Sequence, residues 1–213
     1  MDLNNISNKE EKEKLAEKIL DYVKDGQTIG FGSGSTSYIT IMKISEKLKK
    51  DNIKIKAVPT SNEIQDLCKE NGIETISLAA AKLDWAFDGA DEVDPCGNML
   101  KGRGRAMFKE KLNILSSPKT YILVDHTKLV QNIGEKMPVP VEVFPDAISY
   151  VADALEKIGA SETTFRGMTD NENAILDAKF DVITPDLEKR IKSITGVIES
   201  GLFLGYNVEV IKL

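Results

Sequence analysis

Three stretches of the chain gather residue types able to hold an anion or move a proton. The first is Gly30-Phe31-Gly32-Ser33-Gly34-Ser35-Thr36, between an apolar run and an amphipathic one. Its glycines allow positive φ and a close backbone approach to a ligand. A helix starting there offers unpaired N–H groups and the positive end of its dipole, which suit a phosphate. Ser35 and Thr36 add hydroxyl donors. A dinucleotide fingerprint from Gly30 would need glycine at 35, and an ATP-binding Walker loop would need Gly-Lys before the hydroxyl residue; the sequence has neither, which disfavours both ligands. The plain alternative is a tight strand-to-helix turn with no ligand.

The second stretch, Asp88-Gly89-Ala90-Asp91-Glu92-Val93-Asp94-Pro95, follows the apolar residues 85–87. In a parallel sheet ligands sit beyond the C-terminal strand ends, where Asp88 is expected. Crowded acids repel, which raises a pKa or recruits a cation. The aspartates at 88, 91 and 94 break the alternate spacing of a calcium loop. Alone, this stretch reads equally as a polar turn with capping aspartates. The third stretch, Lys101-Gly102-Arg103-Gly104-Arg105-Ala106-Met107-Phe108-Lys109-Glu110-Lys111, puts a cation and glycines before a helix carrying a carboxylate. One carboxylate and one cation on adjacent elements can serve as base and oxyanion stabiliser. A solvated basic loop and a surface glutamate paired with a lysine would look the same. His126 and Lys128 follow an apolar run; a loop histidine and a surface lysine are their default readings, with Lys128 also in reach of a phosphate. The Lys/Glu run at 9–18 reads as a solvated helix face, and Tyr38 and Met42 as core.

These stretches need a scaffold. Apolar spacing predicts helices over about 9–24, 35–50 (capped by Ser35 or Thr36), 62–71 and 105–115. Strands are expected at 27–32, 53–58, 73–77, 84–87 and 120–124. Strands separated by helices, with apolar runs rather than alternation, indicate a mostly parallel sheet covered on both faces. After Met137-Pro138-Val139-Pro140 the pattern changes: strand 141–144, a helix opened by Pro145, strands 163–166 and 174–180, helix 185–194 and strand 197–202. That β-α-β-β-α-β order is the split ferredoxin-like unit. The expected class is therefore α/β: a mostly parallel sheet covered on both faces over 1–133 and 204–213, and a small ferredoxin-like α+β domain over 134–203. The final strand, 207–212, should return to the first sheet.

Composition narrows the functions. The 213 residues are 41% hydrophobic and 29% charged, with net charge -6, an ordinary globular balance. Acidity disfavours nucleic acid and anionic membranes as partners. No apolar run approaches a membrane span, and the polar start lacks a secretory core. Cys68 and Cys96 form no C-x-x-C pair, which fits a reducing cytoplasm. A single histidine excludes multi-histidine zinc sites, so no metal is expected.

In this order GFGSGST, DGADEVDP, KGRGRAMFKEK, VDHTKLV, PVPVEVFP and TDNENAILD resemble the ribose-5-phosphate isomerase A family, from about Leu15 to the C-terminus. The resemblance implies a Rossmann-like α/β/α domain (1–133 and 204–213) with a ferredoxin-like α+β lid (134–203), and a cofactor-free isomerisation of D-ribose 5-phosphate and D-ribulose 5-phosphate in the non-oxidative pentose phosphate pathway. It implies Glu110 as the base moving a proton between C1 and C2 of an enediolate. Asp88, Asp91 and Lys101 would assist ring opening and steady oxygen charge. Ser33, Gly34, Ser35, Thr36, Gly102, Arg103, Gly104, Lys128 and an N-terminal Lys12 would bind the substrate and its phosphate. A homodimer or homotetramer is implied as well. The loop after Lys101 is often all glycine in this family, and here Arg103 and Arg105 interrupt it; His126 stands where an acid is common and carries no implied role. Competing readings are a non-catalytic phosphosugar sensor and another enzyme on the same scaffold, an amino-sugar phosphate deaminase or an acyl-CoA transferase.

Overall fold

A computed structural model describes residues 6–80 and 82–213. The chain forms two compact units: Met1–Gly89, Lys109–Thr127 and Asn207–Leu213 make the first, and Ala90–Phe108 with Lys128–Tyr206 the second.

In the first unit, α1 (Lys9–Leu20) precedes β1 (Thr28–Phe31), α2 (Gly34–Asp51), β2 (Lys56–Pro59), α3 (Asn62–Glu70), β3 (Glu74–Thr75) and β4 (Trp85–Asp88). α1 buries Lys12, Leu15, Ala16 and Ile19, a stripe at helical spacing. α3 buries Ile64, Leu67 and Cys68 and is capped by Ser61, whose Oγ accepts the Ile64 N–H. After the short β5 (Glu92–Val93) and β6 (Met99–Leu100), which belong to the second unit, α4 (Met107–Ser116) leads into β7 (Thr120–Leu123). The chain end supplies β13 (Glu209–Ile211), which pairs in parallel with β7. The six strands β13-β7-β4-β1-β2-β3 form one sheet in which every pairing is parallel. This is the doubly wound Rossmann order, and its direction reverses between β1 and β4. The core is built on Phe31, Phe87, Leu15, Ile19, Ile41 and Ile44, with Tyr38 and Met42 packed at its margin.

The second unit contains β8 (Val139–Val143), α5 (Ile148–Lys157), β9 (Ala160–Met168), β10 (Ala174–Phe180), α6 (Leu187–Lys192) and β11 (Val197–Ser200). These strands form an antiparallel sheet in the order β11-β8-β10-β9, the ferredoxin-like arrangement. Val139, Val141 and Val143 pack with Val151, Leu155, Leu176 and Ile191.

Two departures from the sequence expectations matter. The strand expected at 197–202 ends at Ser200, and β12 (Leu202–Phe203) joins β5 and β6 in a separate three-stranded sheet. The chain changes sheets at Gly201, where a Cβ would lie 2.1 Å from the Lys101 carbonyl oxygen. The cap of α2 is Ser33, not Ser35 or Thr36, because Ser33 is the last extended residue (φ -106°, ψ 172°).

Candidate active site

The switch point between β1 and β4 gathers the first cluster. Strand β1 runs into Gly32, whose N–H donates to the Phe87 carbonyl of β4 at 2.9 Å. A Cβ on Gly32 would sit 2.1 Å from Asp88 Oδ1, so only glycine lets the loop pass the carboxylate. Asp88 is 3% exposed, and its Oδ1 accepts the Gly89 N–H at 2.7 Å. Beyond it, a Cβ built on Gly89 would lie 3.9 Å from Thr36 Cβ, which puts Thr36 over the end of β4. Ser33 makes no side-chain cap to its helix; its hydroxyl shares a hydrogen bond with Thr60 Oγ1 at 2.7 Å and donates to Ser61 Oγ at 3.1 Å. The first turn of α2 thus keeps its N–H groups clear of a capping side chain, as anion binding requires.

Glu110 reaches the same end of the sheet. Because α4 feeds directly into β7, parallel to β4, it runs back along the sheet and starts at the strands' C-terminal edge. Asn113, one turn later on the same face, donates to the Val58 carbonyl at 2.9 Å, and its Nδ2 lies 3.2 Å from a Cβ built on Gly30. Three residues of helical rise place Glu110 about 4.5 Å further toward that edge. It is 4% exposed.

Lys12 brings a buried cation to the loop. Its ammonium donates to Ser35 Oγ at 3.0 Å and to the Ser7 carbonyl at 2.9 Å, and lies 3.6 Å from Asp125 Oδ2. Burial alone would raise the Asp125 carboxyl. The Thr127 hydroxyl and amide, the Lys12 charge and the Asn8 amide outweigh it and hold the group below the usual carboxylate range. His126, whose ring is exposed, bonds through Nδ1 to Glu11 Oε2 at 2.7 Å. Glu11, Asp125 and His126 are close enough together to hold a metal ion. The Lys12 ammonium beside Asp125 and the His126–Glu11 hydrogen bond instead make this a polar network that already holds a cation.

The remaining predicted residues belong to the second unit. Asp91 Oδ2 accepts the Arg103 N–H at 2.9 Å. Lys101 is 3% exposed, its N–H donates to the Gly201 carbonyl at 2.9 Å, and its ammonium lies 5.9 Å from the Phe203 ring centre. Gly102, at φ +112°, takes a conformation that L side chains rarely adopt. Arg103 and Gly104 are exposed, and Lys128, at the end of a short 3-10 helix, is half-buried. Arg105 adopts a left-handed φ of +59°, where glycine would be unstrained.

The acids of the DGADEVDP stretch neither cap a helix nor simply face one another. Glu92, wholly buried, accepts the N–H groups of Gly134 at 2.6 Å and Lys136 at 2.7 Å. Asp94 ties its own turn, accepting from the Cys96 and Asn98 N–H groups at 2.9 Å each. Sequence reasoning missed Asp125, Asn113 and Glu92. Asp125 was findable: it follows an apolar run, the rule that selected Asp88. Asn113 and Glu92 act through partners distant in the chain, which spacing does not reveal.

A Rossmann-order sheet whose switch point carries a glycine-serine turn and the buried carboxylate of Asp88, without a dinucleotide fingerprint, defines an α/β protein suited to a small anionic metabolite. The sequence pattern of ribose 5-phosphate isomerase A (phosphoriboisomerase A) matches residues 56–212. Ribose-5-phosphate isomerase A 1 of Oceanobacillus iheyensis is 41% identical over 208 residues, covering 94% of this chain and 92% of its own. The solved ribose 5-phosphate isomerase A of Methanocaldococcus jannaschii superposes with a TM-score of 0.92 at 35% identity, over 97% of this chain and 95% of its own. A solved D-ribose-5-phosphate isomerase in complex with phospho-erythronic acid gives 0.91 at 38% identity, over 97% and 96%. The chain belongs to the ribose 5-phosphate isomerase A family.

Proposed function

We propose that this chain interconverts D-ribose 5-phosphate and D-ribulose 5-phosphate through an enediolate, without a cofactor, as a step of the non-oxidative pentose phosphate pathway. Glu110 takes the proton from one carbon and returns it to its neighbour on the same face. Asp88 or Asp91 shuttles protons during ring opening. Lys101 and the amides of Gly102 and Gly104 meet the oxygen charge, because fixed donors need no reorganisation as charge develops; the Arg103 amide holds Asp91. Ser33, Gly34, Ser35 and Thr36, with Lys12 and Lys128, take the phosphate, which orients the sugar without joining the chemistry. The two-domain division at 133/134 and 203/204, a homodimer or homotetramer, and a cytoplasmic location belong to the same proposal; among the described residues no helix is long and apolar enough to cross a membrane.

The observation that carries the proposal is the meeting of Asp88 with the Gly32–Thr36 turn at the β1/β4 switch point, in a chain of this family. A relative's complex with phospho-erythronic acid, a phosphorylated sugar acid, supports the substrate class. The test is Glu110→Gln. Turnover of ribose 5-phosphate should fall by about 10²–10⁴-fold, the range for a general base, with folding and substrate binding retained. Near-normal turnover would remove Glu110 from the mechanism.

A further inference from the structure

We infer that Arg166, anchored by Asp177, is a positioning residue for the Lys101–Gly104 loop and through it for Asp91; this rests on the reading of that loop given above. Arg166 sits at an irregularity of the β9–β10 ladder: Leu176 faces Phe165 and Ile175 faces Gly167, so Arg166 has no opposite number. Such a bulge re-aims a side chain and recurs beside active sites. Here it points the guanidinium at Asp177, with Nε 3.0 Å from Oδ1 and 2.9 Å from Oδ2. The other two nitrogens grip the loop. Nη2 donates to the Gly102 carbonyl and Nη1 to the Arg103 carbonyl, each at 2.9 Å.

The consequence follows from peptide planarity. A trans peptide holds its N–H rigidly opposite its C=O, and no cis bond occurs among the described residues. Fixing the carbonyls of Gly102 and Arg103 therefore fixes the N–H groups of Arg103 and Gly104. The first of these donates to Asp91 Oδ2 at 2.9 Å. The second is turned away from Arg166, as a donor for substrate oxygen must be. A second strap runs the other way: Arg105 Nη1 donates to the Met168 carbonyl at 3.2 Å, and its N–H to the Gly102 carbonyl at 2.9 Å. Only a planar guanidinium can reach an aspartate and two successive carbonyls at once; a lysine offers one point charge.

The test compares Arg166→Lys, Arg166→Ala and Asp177→Asn with Lys101→Ala and Asp91→Asn, in isomerisation kinetics and thermal melting of the full chain. The expected result for the Arg166 variants is a kcat loss on the order of 10²-fold, the penalty for slight misplacement of reacting groups. KM should change little, because phosphate binding is assigned to other residues. Added guanidinium ion, at concentrations that leave the fold intact, should restore turnover to Arg166→Ala while equal urea does not. Unchanged kcat in Arg166→Lys, with Lys101→Ala and Asp91→Asn impaired, overturns the inference alone. So does loss of turnover that only tracks loss of folding and has no guanidinium rescue. If Arg166→Ala does not fold, Arg166→Lys and Asp177→Asn decide by their kcat and KM. Wild-type turnover in Lys101→Ala and Asp91→Asn overturns the reading of the loop, and the inference with it.

Discussion

Gly32→Ala tests whether the β1/β4 switch point is the working end of the sheet. The new methyl carbon would lie 2.1 Å from Asp88 Oδ1, 2.2 Å from its Cγ and 2.6 Å from its Cα. Ordinary contact begins at 3.4 Å, so Cγ must retreat by about 1.2 Å and Cα by about 0.8 Å. Rotation of the carboxylate relieves only the first two contacts. The third is with backbone inside a parallel ladder that pairs Asp88 with Ile122. Overpacking of this kind costs about 1–3 kcal/mol, a fall in melting temperature of roughly 3–10 °C for a chain of this size. A displacement near 1 Å at a reacting group costs about 10²-fold in rate. The assay is turnover of ribose 5-phosphate alongside melting followed by circular dichroism, with Asp88→Gly as a second background. In that background two of the three contacts vanish, so the stability penalty of Gly32→Ala should shrink, with a coupling of about 0.5–3 kcal/mol. Wild-type turnover with an unchanged melting temperature in Gly32→Ala would refute the reasoning. A penalty of the same size in both backgrounds would show that the strain does not run through the Asp88 side chain.

Two further substitutions probe buried carboxylates of the second unit. Glu92→Ala leaves the N–H groups of Gly134 and Lys136 without their acceptor; a hydrogen bond is worth about 0.5–1.5 kcal/mol net, so a loss of about 1–3 kcal/mol in denaturant unfolding is expected, and an unchanged midpoint would count against the tie. Glu142 is held above the usual carboxylate range, first by burial and then by the neighbouring Glu199. One of its oxygens accepts from Thr169 at 3.2 Å and Asn173 at 2.8 Å, and the other is buried without a hydrogen bond. A raised folded pKa means that the protonated form's stabilising contribution is complete below the unfolded value, about 4.3, and is lost as pH rises through the folded value. Glu142→Gln mimics the protonated form, so it should melt higher than the parent at pH 8 and lose that advantage by about pH 4. An advantage independent of pH would refute this.

What the sequence disclosed divides by physical scale. The order of the large elements was legible because each helix has an apolar stripe and each buried strand an apolar run: Ile64, Leu67 and Cys68 on α3, and residues 120–123 in β7. The return of β13 to β7 was legible by topology alone. The two-residue strands β5, β6 and β12 form a small sheet of their own that the sequence pattern does not predict, and residues 92–93 read as a turn. Sequence pattern predicts only four of the nine residues of β9, because its edge position leaves it mostly exposed and polar. The candidate site was legible in its first members because loops at a switch point need particular residues for local reasons: a glycine where Asp88 crowds the backbone, a hydroxyl at a helix start. Its supports were not. Arg166 finds Asp177 and the 102–103 carbonyls only because the ladder slips between Ile175 and Leu176. Ser33 turns from its helix toward Thr60 and Ser61, both supplied by the end of a neighbouring strand. Register and inter-strand reach are properties of the assembled sheet, so a residue whose work is to hold another in place is read from coordinates, while the residue that it holds can be read from type and spacing.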